Sequence, residues 1–499
     1  MGEVVVPVDY DSTQEMSPSL QIITIKSSSI KEMPPPPPPT GVTSNSSGQP
    51  GGINLKELES WLPITESRNG NMFTAMFHLV CSGIGFQALL LPVAFAALGW
   101  AWGIICLSMA FIWQLYTIWL LVNLHEPVPG TRYSRFVRLS IVAFGQKLGK
   151  LLAIFPVMYL SGGSCVLLII TGGGTMEQFF KLIICGEGTT CESKTLTGTE
   201  CFLLFTCIAI IIAQLPNLNS IARVSLIGAI SSIGYFTMIW ALSISKGRLN
   251  DVSNYSNIPT DAKSGMNGFG NILNAIGIIM LSFKGHNLIL EIQGTLPSDS
   301  NHSSRKSMWR GVILSYMIIA MCFIPIAVVG FWAYGNKIPG NGGILAAFSQ
   351  FHSQDTSKFV IGLIYVWIII SCLSSYQIYA MPAFDNLEFI YASSKNRRCP
   401  QWVRTGLRLF FGGLTFFISV AFPFLGSLGP LIGGIAAVPL TFAYPCFMWI
   451  LIKRPRPNGA MWTLNLGLGC FGILLSILLI VAAIWNLADK GLNANFFRP

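Results

Sequence analysis

The sequence predicts an all-α polytopic membrane protein with eleven transmembrane helices, on three observations. Of its 499 residues, 52% are hydrophobic and only 10% are Asp, Glu, Lys or Arg, against about 25% charged residues in an ordinary soluble domain. A water-soluble enzyme of this size would lack the charge to cover its surface. Apolar runs able to cross a hydrocarbon core, about 20 residues each, recur from Asn71 onward, and 49 Gly and 33 Phe suit helices that pack closely in lipid.

Residues 1–70 are composed differently. Ser-rich stretches, six prolines at 34–39 and a Gly/Pro segment at 48–52 predict a disordered cytoplasmic tail. The proline run reads either as an extended spacer or as a ligand for a polyproline-binding partner. No charged and then apolar stretch follows Met1, so no cleaved signal peptide is expected and the first membrane helix serves as the address. The transmembrane domain, 71–485, holds predicted helices at 72–96, 102–123, 149–172, 201–216, 221–245, 269–293, 309–334, 359–387, 405–425, 428–452 and 463–485. Residues 486–499 form a short extracellular C-terminal tail.

Orientation follows from the cations, because loops rich in Lys and Arg are retained in the cytoplasm. With the tail and its four cations inside, the inner loops and helix ends hold 17 Lys and Arg, among them Arg132, Arg135, Arg138, Arg305, Arg310, Arg404 and Arg408, against nine outside. A cytoplasmic N-terminus follows. In that orientation Cys185 and Cys191 flank an outer polar loop, either bridged or as two free thiols. The sequon at Asn254 is open to glycosylation, while those at Asn45 and Asn301 stay bare inside. The net charge of +10 is scattered, with no basic stripe and no zinc spacing, so neither nucleic acid nor metal is expected.

One cation remains, Lys284, in the middle of the sixth segment. A central Lys costs about 2.5–3.5 kcal/mol on insertion, so it faces a cavity or a partner; snorkelling or pairing with Glu291 is the bland alternative. Phe283, Lys284, Gly285, His286 and Asn287 interrupt the helix with a cation, a glycine and polar groups. His286 either titrates with a carried proton or bonds a neighbouring carbonyl, and Glu291 either relays protons or joins an inner-gate ion pair. The first segment carries a similar interruption at Ser82, Gly83 and Gly85, with His78 one turn earlier. Helices 1 and 6 are corresponding members of two five-helix halves, and paired interruptions there point to an inverted-repeat transporter. Amides freed at half-helix N-termini suit a carboxylate and freed carbonyls an ammonium group, so a free amino acid is a natural ligand. Ser374 and Ser375 in the eighth segment either line this site or bond their own backbone. Asp385 and Glu388 are expected in an interfacial salt bridge near Lys395 and Arg397. Ser161 to Ser164 read as packing, and Gly172 to Gly174 lack the residues of a phosphate loop.

The strings Ala97-Leu98-Gly99-Trp100, Leu124-His125-Glu126-Pro127-Val128-Pro129-Gly130-Thr131-Arg132-Tyr133, Gly285-His286-Asn287 through Leu290-Glu291-Ile292-Gln293, Met308-Trp309-Arg310-Gly311-Val312 and Ser375-Tyr376-Gln377-Ile378-Tyr379-Ala380-Met381-Pro382 resemble the lysine/histidine transporter-like branch of the plant amino acid/auxin permease family. The resemblance runs from about Gly70 to the C-terminus. It implies an eleven-helix importer with a LeuT-type 5+5 inverted repeat and discontinuous helices 1 and 6. It also implies symport of amino acids driven by a proton gradient across the plasma membrane, with no cofactor. Two departures fall at the expected substrate site: Gln87 replaces a small glycine of the family's helix 1 run, and Phe283-Lys284 replaces its usual Tyr-Ala. A protonated Lys284 would attract a substrate carboxylate and repel cationic substrates, or would stand in for a coupling cation and cycle its own proton. The competing class is a transport-deficient sensor on the same fold. A channel lacks a filter motif, and an enzyme lacks a nucleophile and base pair.

Overall fold

Each apolar run becomes helix, because backbone in lipid must bond to itself. The computed structural model describes residues 55–128, 131–184, 196–249, 252, 266–298, 303–340, 342–424, 429–490 and 496–497. The proline run, Cys185, Cys191, Asn45, Asn254, Asn301 and half of the C-terminal tail lie outside the described residues.

After a short α1 (Leu55–Ser60), the first predicted segment is α2 (Met72–Gly83), a break, and a 3-10 turn, Phe86–Leu90, that continues into α3 (Leu91–Leu124). Asn71 starts α2 with a capping box: its side chain accepts from the Thr74 amide at 2.9 Å, and Thr74 Oγ1 accepts the Asn71 amide at 2.8 Å. Inside α3, Gly99 sits at φ 77°, ψ 177° and turns the chain from the first segment into the second. That region is open essentially to glycine alone, and nothing crowds a Cβ built there. Gly99→Ala is therefore expected to cost about 1–3 kcal/mol through backbone strain, read as a lowered unfolding midpoint in detergent with no new clash.

The rest of the first half is α4 (Phe136–Phe144), α5 (Gln146–Ile184), α6 (Gly198–Ala213) and α7 (Ala222–Lys246). The second half opens with α8 (Met266–Ser282), a break, a 3-10 turn His286–Leu288, and α9 (Ile289–Gly294). Then come α10 (Ser304–Tyr334), α11 (Gly343–His352), α12 (Lys358–Lys395) and α13 (Gln401–Ala421). The tenth segment is α14 (Gly429–Ile432), two π-helical stretches over Gly433–Ala437 and Pro439–Ala443, and α15 (Tyr444–Lys453). A final helix is α16 (Ala460–Lys490). Among the described residues, nine helices are long and apolar enough to cross a membrane, and Met72–Gly83 and Gly198–Ala213 are apolar but shorter.

At the centre α12 packs along α5 and α7, while α10 lies against α2 and α3. Buried hydroxyls bond their own preceding turn, as Ser232 Oγ to the Gly228 carbonyl at 2.8 Å and Thr206 Oγ1 to Phe202 at 2.7 Å. Large apolar side chains such as Phe155, Ile211, Met321 and Trp402 are exposed, as helix faces turned to lipid require.

The disordered tail expected over 1–70 gives way at its downstream end. Residues 55–70 form α1 and a turn that docks on the bundle, burying Leu62 and Ile64, and Glu59 and Glu66 take arginine partners. These apolar and acidic residues belong to the folded domain; the Pro/Ser composition upstream concealed the change. Two short helices, α4 and α11, were also unexpected, being too brief to register against a membrane-length ruler.

Candidate functional site

The two helix breaks face one another. At the first, Ile84 (φ −87°, ψ 93°) and Gly85 (φ −106°, ψ 160°) are extended; at the second, Gly285 lies at φ 97°, a left-handed value that glycine takes at little cost. A Cβ at Gly285 would lie 3.2 Å from Ser82 Oγ, and one at Gly85 would lie 3.0 Å from Gln87 Oε1 and 3.6 Å from Lys284 Nζ. The absent side chains thus let the two backbones and the polar groups of both breaks share one space.

Helix α12 holds the first break open. Ser375 Oγ donates to the Cys81 carbonyl at 2.8 Å, and one turn on Tyr379 Oη donates to the Ser82 carbonyl at 2.8 Å. Ser82 Oγ in turn donates to the His78 carbonyl at 2.7 Å, and the His78 ring shares a hydrogen bond with Ser225 on α7 at 2.7 Å. Carbonyls at a helix end that would otherwise be orphaned are satisfied from a neighbouring helix.

A cavity of ≈ 30 Å³ adjoins the second break, lined among others by Ser164, Lys284, His286, Asn287, Tyr379 and Thr441. It has room for water but not for an amino acid. Thr441 comes from a π-helical stretch, an uncommon conformation that recurs at functional sites.

The predicted residues separate into groups. Gly85, Gln87, Lys284 and Gly285 meet at the facing breaks, and Gln87 Oε1 is buried without a hydrogen-bond partner. Lys284 forms no ion pair with Glu291, nor with any carboxylate among the described residues; its ammonium lies 6.0 Å from the Phe86 ring centre. His286 Nε2 pairs with Thr117 Oγ1 at 2.9 Å rather than with a carbonyl, and its Nδ1 is buried without a partner. Asn287 Nδ2 donates to Ser161 Oγ at 3.4 Å. Gly83 serves packing, since a Cβ there would strike Ile319 at 2.8 Å, whereas Phe283 lines the cavity at the second break and also joins Phe111 and Phe323 in an aromatic cluster. Ser374 bonds its own turn, to Ile370 at 2.9 Å, whereas Ser375 reaches the break.

One end of the bundle is closed by a buried ionic network. Asp385 takes a two-pronged contact from Arg135, at 2.5 Å from Nε and 3.1 Å from Nη2, and accepts the Ile64 amide at 3.3 Å. Glu388 pairs with Arg404 at 2.9 Å and Arg408 at 3.7 Å. The salt bridges foreseen near Lys395 and Arg397 thus form with other arginines, because folding brings the loop between α3 and α4, which carries Arg135, and α13, which carries Arg404 and Arg408, against α12. Around this core Glu59 pairs with Arg138, Arg135 and Arg68, and Glu66 with Arg398 and Arg404. Arg132 donates to the carbonyls of Gln293 and Leu296 at 3.2 and 2.8 Å, a favourable place for a cation at a helix C-terminus. Burial, with Arg132 and Arg68 nearby, holds His125 well below the ordinary imidazole range, so that ring is neutral. Glu291 is buried beside Asp385 and Arg135, and its Oε2 has no hydrogen-bond partner.

Thr117, Ser225 and Tyr379 escaped the sequence reading. Only Tyr379 carried a signal, lying four residues after Ser375 on the same helix face.

Residues 68–485 match the family model described as transmembrane amino acid transporter protein. The chain is 51% identical over 445 residues to lysine histidine transporter-like 8 of Arabidopsis thaliana, covering 89% of this chain and 84% of that one. Among solved structures it resembles a Na⁺-coupled sialic acid symporter in a substrate-bound outward-open state (TM-score 0.55, 12% identity, 86% of this chain and 92% of that one). It also resembles MhsT in complex with L-phenylalanine (TM-score 0.52, 12% identity, 84% and 99%). With its two broken helices the chain has a LeuT-like transporter fold.

Proposed function

We propose, for a chain that belongs to the transmembrane amino acid transporter family and to its lysine/histidine transporter-like branch, proton-coupled import of free amino acids by alternating access. Its relatives are named transporters, non-enzymatic permeases of amino acids, so amino-acid transport is its general business; coupling, direction and substrate range are the reading offered here. The observation that carries it is the facing pair of helix breaks, with Gly85 and Gly285 each within contact distance of polar groups from the opposite or neighbouring turn.

In this reading eleven spans cross the bilayer, the first made of α2 with residues 86–98 and the fourth of α6. The two termini then lie on opposite sides, with the N-terminus in the cytoplasm and the cell surface as the membrane. The positive ends of the helical segments at Phe86 and His286 receive the substrate carboxylate, helped by the Lys284 ammonium, while carbonyls at the end of α2 receive the α-amino group. Neutral and acidic amino acids are favoured over cationic ones. Lys284, His286 and Glu291 are the proton-coupling candidates, and no cofactor takes part. The basic end, closed by Arg135 and Asp385, must part to release substrate inside.

Proteoliposomes with an imposed proton gradient test this. Labelled amino acids from a panel of twenty are expected to accumulate above their equilibrium level at acidic external pH, and to fall back when a protonophore collapses the gradient. Binding without accumulation would identify a sensor instead, and accumulation indifferent to the gradient would reject proton coupling.

A further inference from the structure

A second recess opens between the outer faces of α3 and α10, and its inner end adjoins the second break, where the Phe111 and Phe283 ring centres lie 6.1 Å apart. It is an open groove of ≈ 360 Å³ walled by Phe111, Leu115 and Trp119 on α3 and by Trp309, Ile313 and Met317 on α10. Each triad is spaced by four residues, so each forms a single stripe along one helix face. Ile313 and Met317 are exposed, at 44% and 59%, as expected where bulk lipid has access. At the deep end Gln114 Nε2 donates to Tyr316 Oη at 2.7 Å and ties the two helices together. At the other end Arg305 Nη1 donates to Asn123 Oδ1 at 3.1 Å, and Asn123 is fixed by donating to the Trp119 carbonyl at 2.7 Å.

The groove is thus graded. From Phe111 to Asn123 an α-helix rises about 18 Å, close to the roughly 15 Å of one leaflet's hydrocarbon depth. Its far end is apolar and aromatic. Its near end carries an exposed guanidinium whose one hydrogen bond goes to a neutral amide and which forms no ion pair among the described residues. Lys306, also exposed, adds positive charge at the same level, and exposed Arg310 follows about 7.5 Å along α10. An acyl chain lying in the slot places a phosphate at Arg305, whose planar fork suits a phosphodiester, and basic recesses of this kind between membrane helices select anionic headgroups.

We propose that this groove is a binding site for a single anionic glycerophospholipid, its chain along the aromatic slot and its phosphate on Arg305.

The test uses the full-length protein in mixed micelles, with tryptophan fluorescence quenched by lipids brominated in the acyl chain. Brominated phosphatidylglycerol is expected to quench with at least fivefold tighter apparent affinity than brominated phosphatidylcholine. Trp119→Phe and Trp309→Phe should each remove part of that quenching. Arg305→Ala should abolish the preference, and Arg305→Lys should retain most of it, with unchanged circular dichroism certifying the fold of both. Equal quenching by the two lipids, a preference that survives Arg305→Ala, or displacement of the bound lipid by a sterol at equal concentration would overturn the proposal.

Discussion

Lys284→Ala is expected to raise the KM for neutral and acidic amino acids about thirtyfold while sparing, or improving, uptake of cationic ones. The figure follows from position. Two opposite unit charges about 4 Å apart interact by roughly 4 kcal/mol at an effective dielectric of 20. If water and neighbouring dipoles offset half of that, the remaining ~2 kcal/mol corresponds to about thirtyfold in affinity. Lys284 meets the conditions for such an effect, because no carboxylate among the described residues competes for its charge and its Nζ lies near Gly85 at the facing breaks. Lys284→Arg keeps the charge and should keep the selectivity in part. The coupling role predicts something different: with Ala the KM changes little, but uptake loses its dependence on external pH. Uptake measured for the whole substrate panel at several pH values separates the two roles. Unchanged KM and an unchanged pH profile for every substrate would reject both.

Asp385→Ala is expected to destabilise the protein by about 1.5–3 kcal/mol, because it removes the two-pronged partner of Arg135 and leaves that partly buried guanidinium only the Glu59 carboxylate at 4.0 Å and the Thr65 hydroxyl at 3.2 Å. Asp385 is 1% exposed, and it loses both guanidinium contacts and the Ile64 amide at once. The loss should appear as a markedly lower unfolding midpoint in detergent. Adding Arg135→Leu should recover much of it, since replacing a buried pair with apolar residues is far cheaper than halving it. A single variant as stable as the wild type would mean that water already reaches this end, and the closed ionic network would have to be abandoned.

The sequence made the helix breaks legible because glycine and polar residues inside an apolar run have no other economical explanation in lipid. Ser82, Gly85, Lys284 and Gly285 announced themselves by type. The fold class was equally plain, since hydropathy is a property of single segments. Thr117 and Ser225 were hidden because a lone hydroxyl in a membrane helix ordinarily bonds its own turn, and only the fold brings them to His286 and His78. The partners of Asp385 and Glu388 were hidden for a related reason: proximity along the chain suggested Lys395 and Arg397, whereas Arg135 lies 250 residues away. Docking of residues 55–70 could not be read from composition, because a short amphipathic stretch beside a Pro/Ser-rich one has no length on which periodicity can be judged.

The ionic end has two tiers with different sensitivity to salt. Arg398 and Arg138, which hold Glu66 and Glu59, are 57% and 31% exposed in their side chains, while Asp385 and Glu388 are 2% exposed. Raising ionic strength shrinks the screening length from about 8 Å at physiological salt to about 3 Å at 1 M, which slackens the rim but scarcely touches the centre. Concentrated salt should therefore loosen the arginine grips on Glu59 and Glu66 at the rim, while buried Leu62 and Ile64 and the bolt between Arg135 and Asp385 keep the strap formed by residues 55–70 on the bundle.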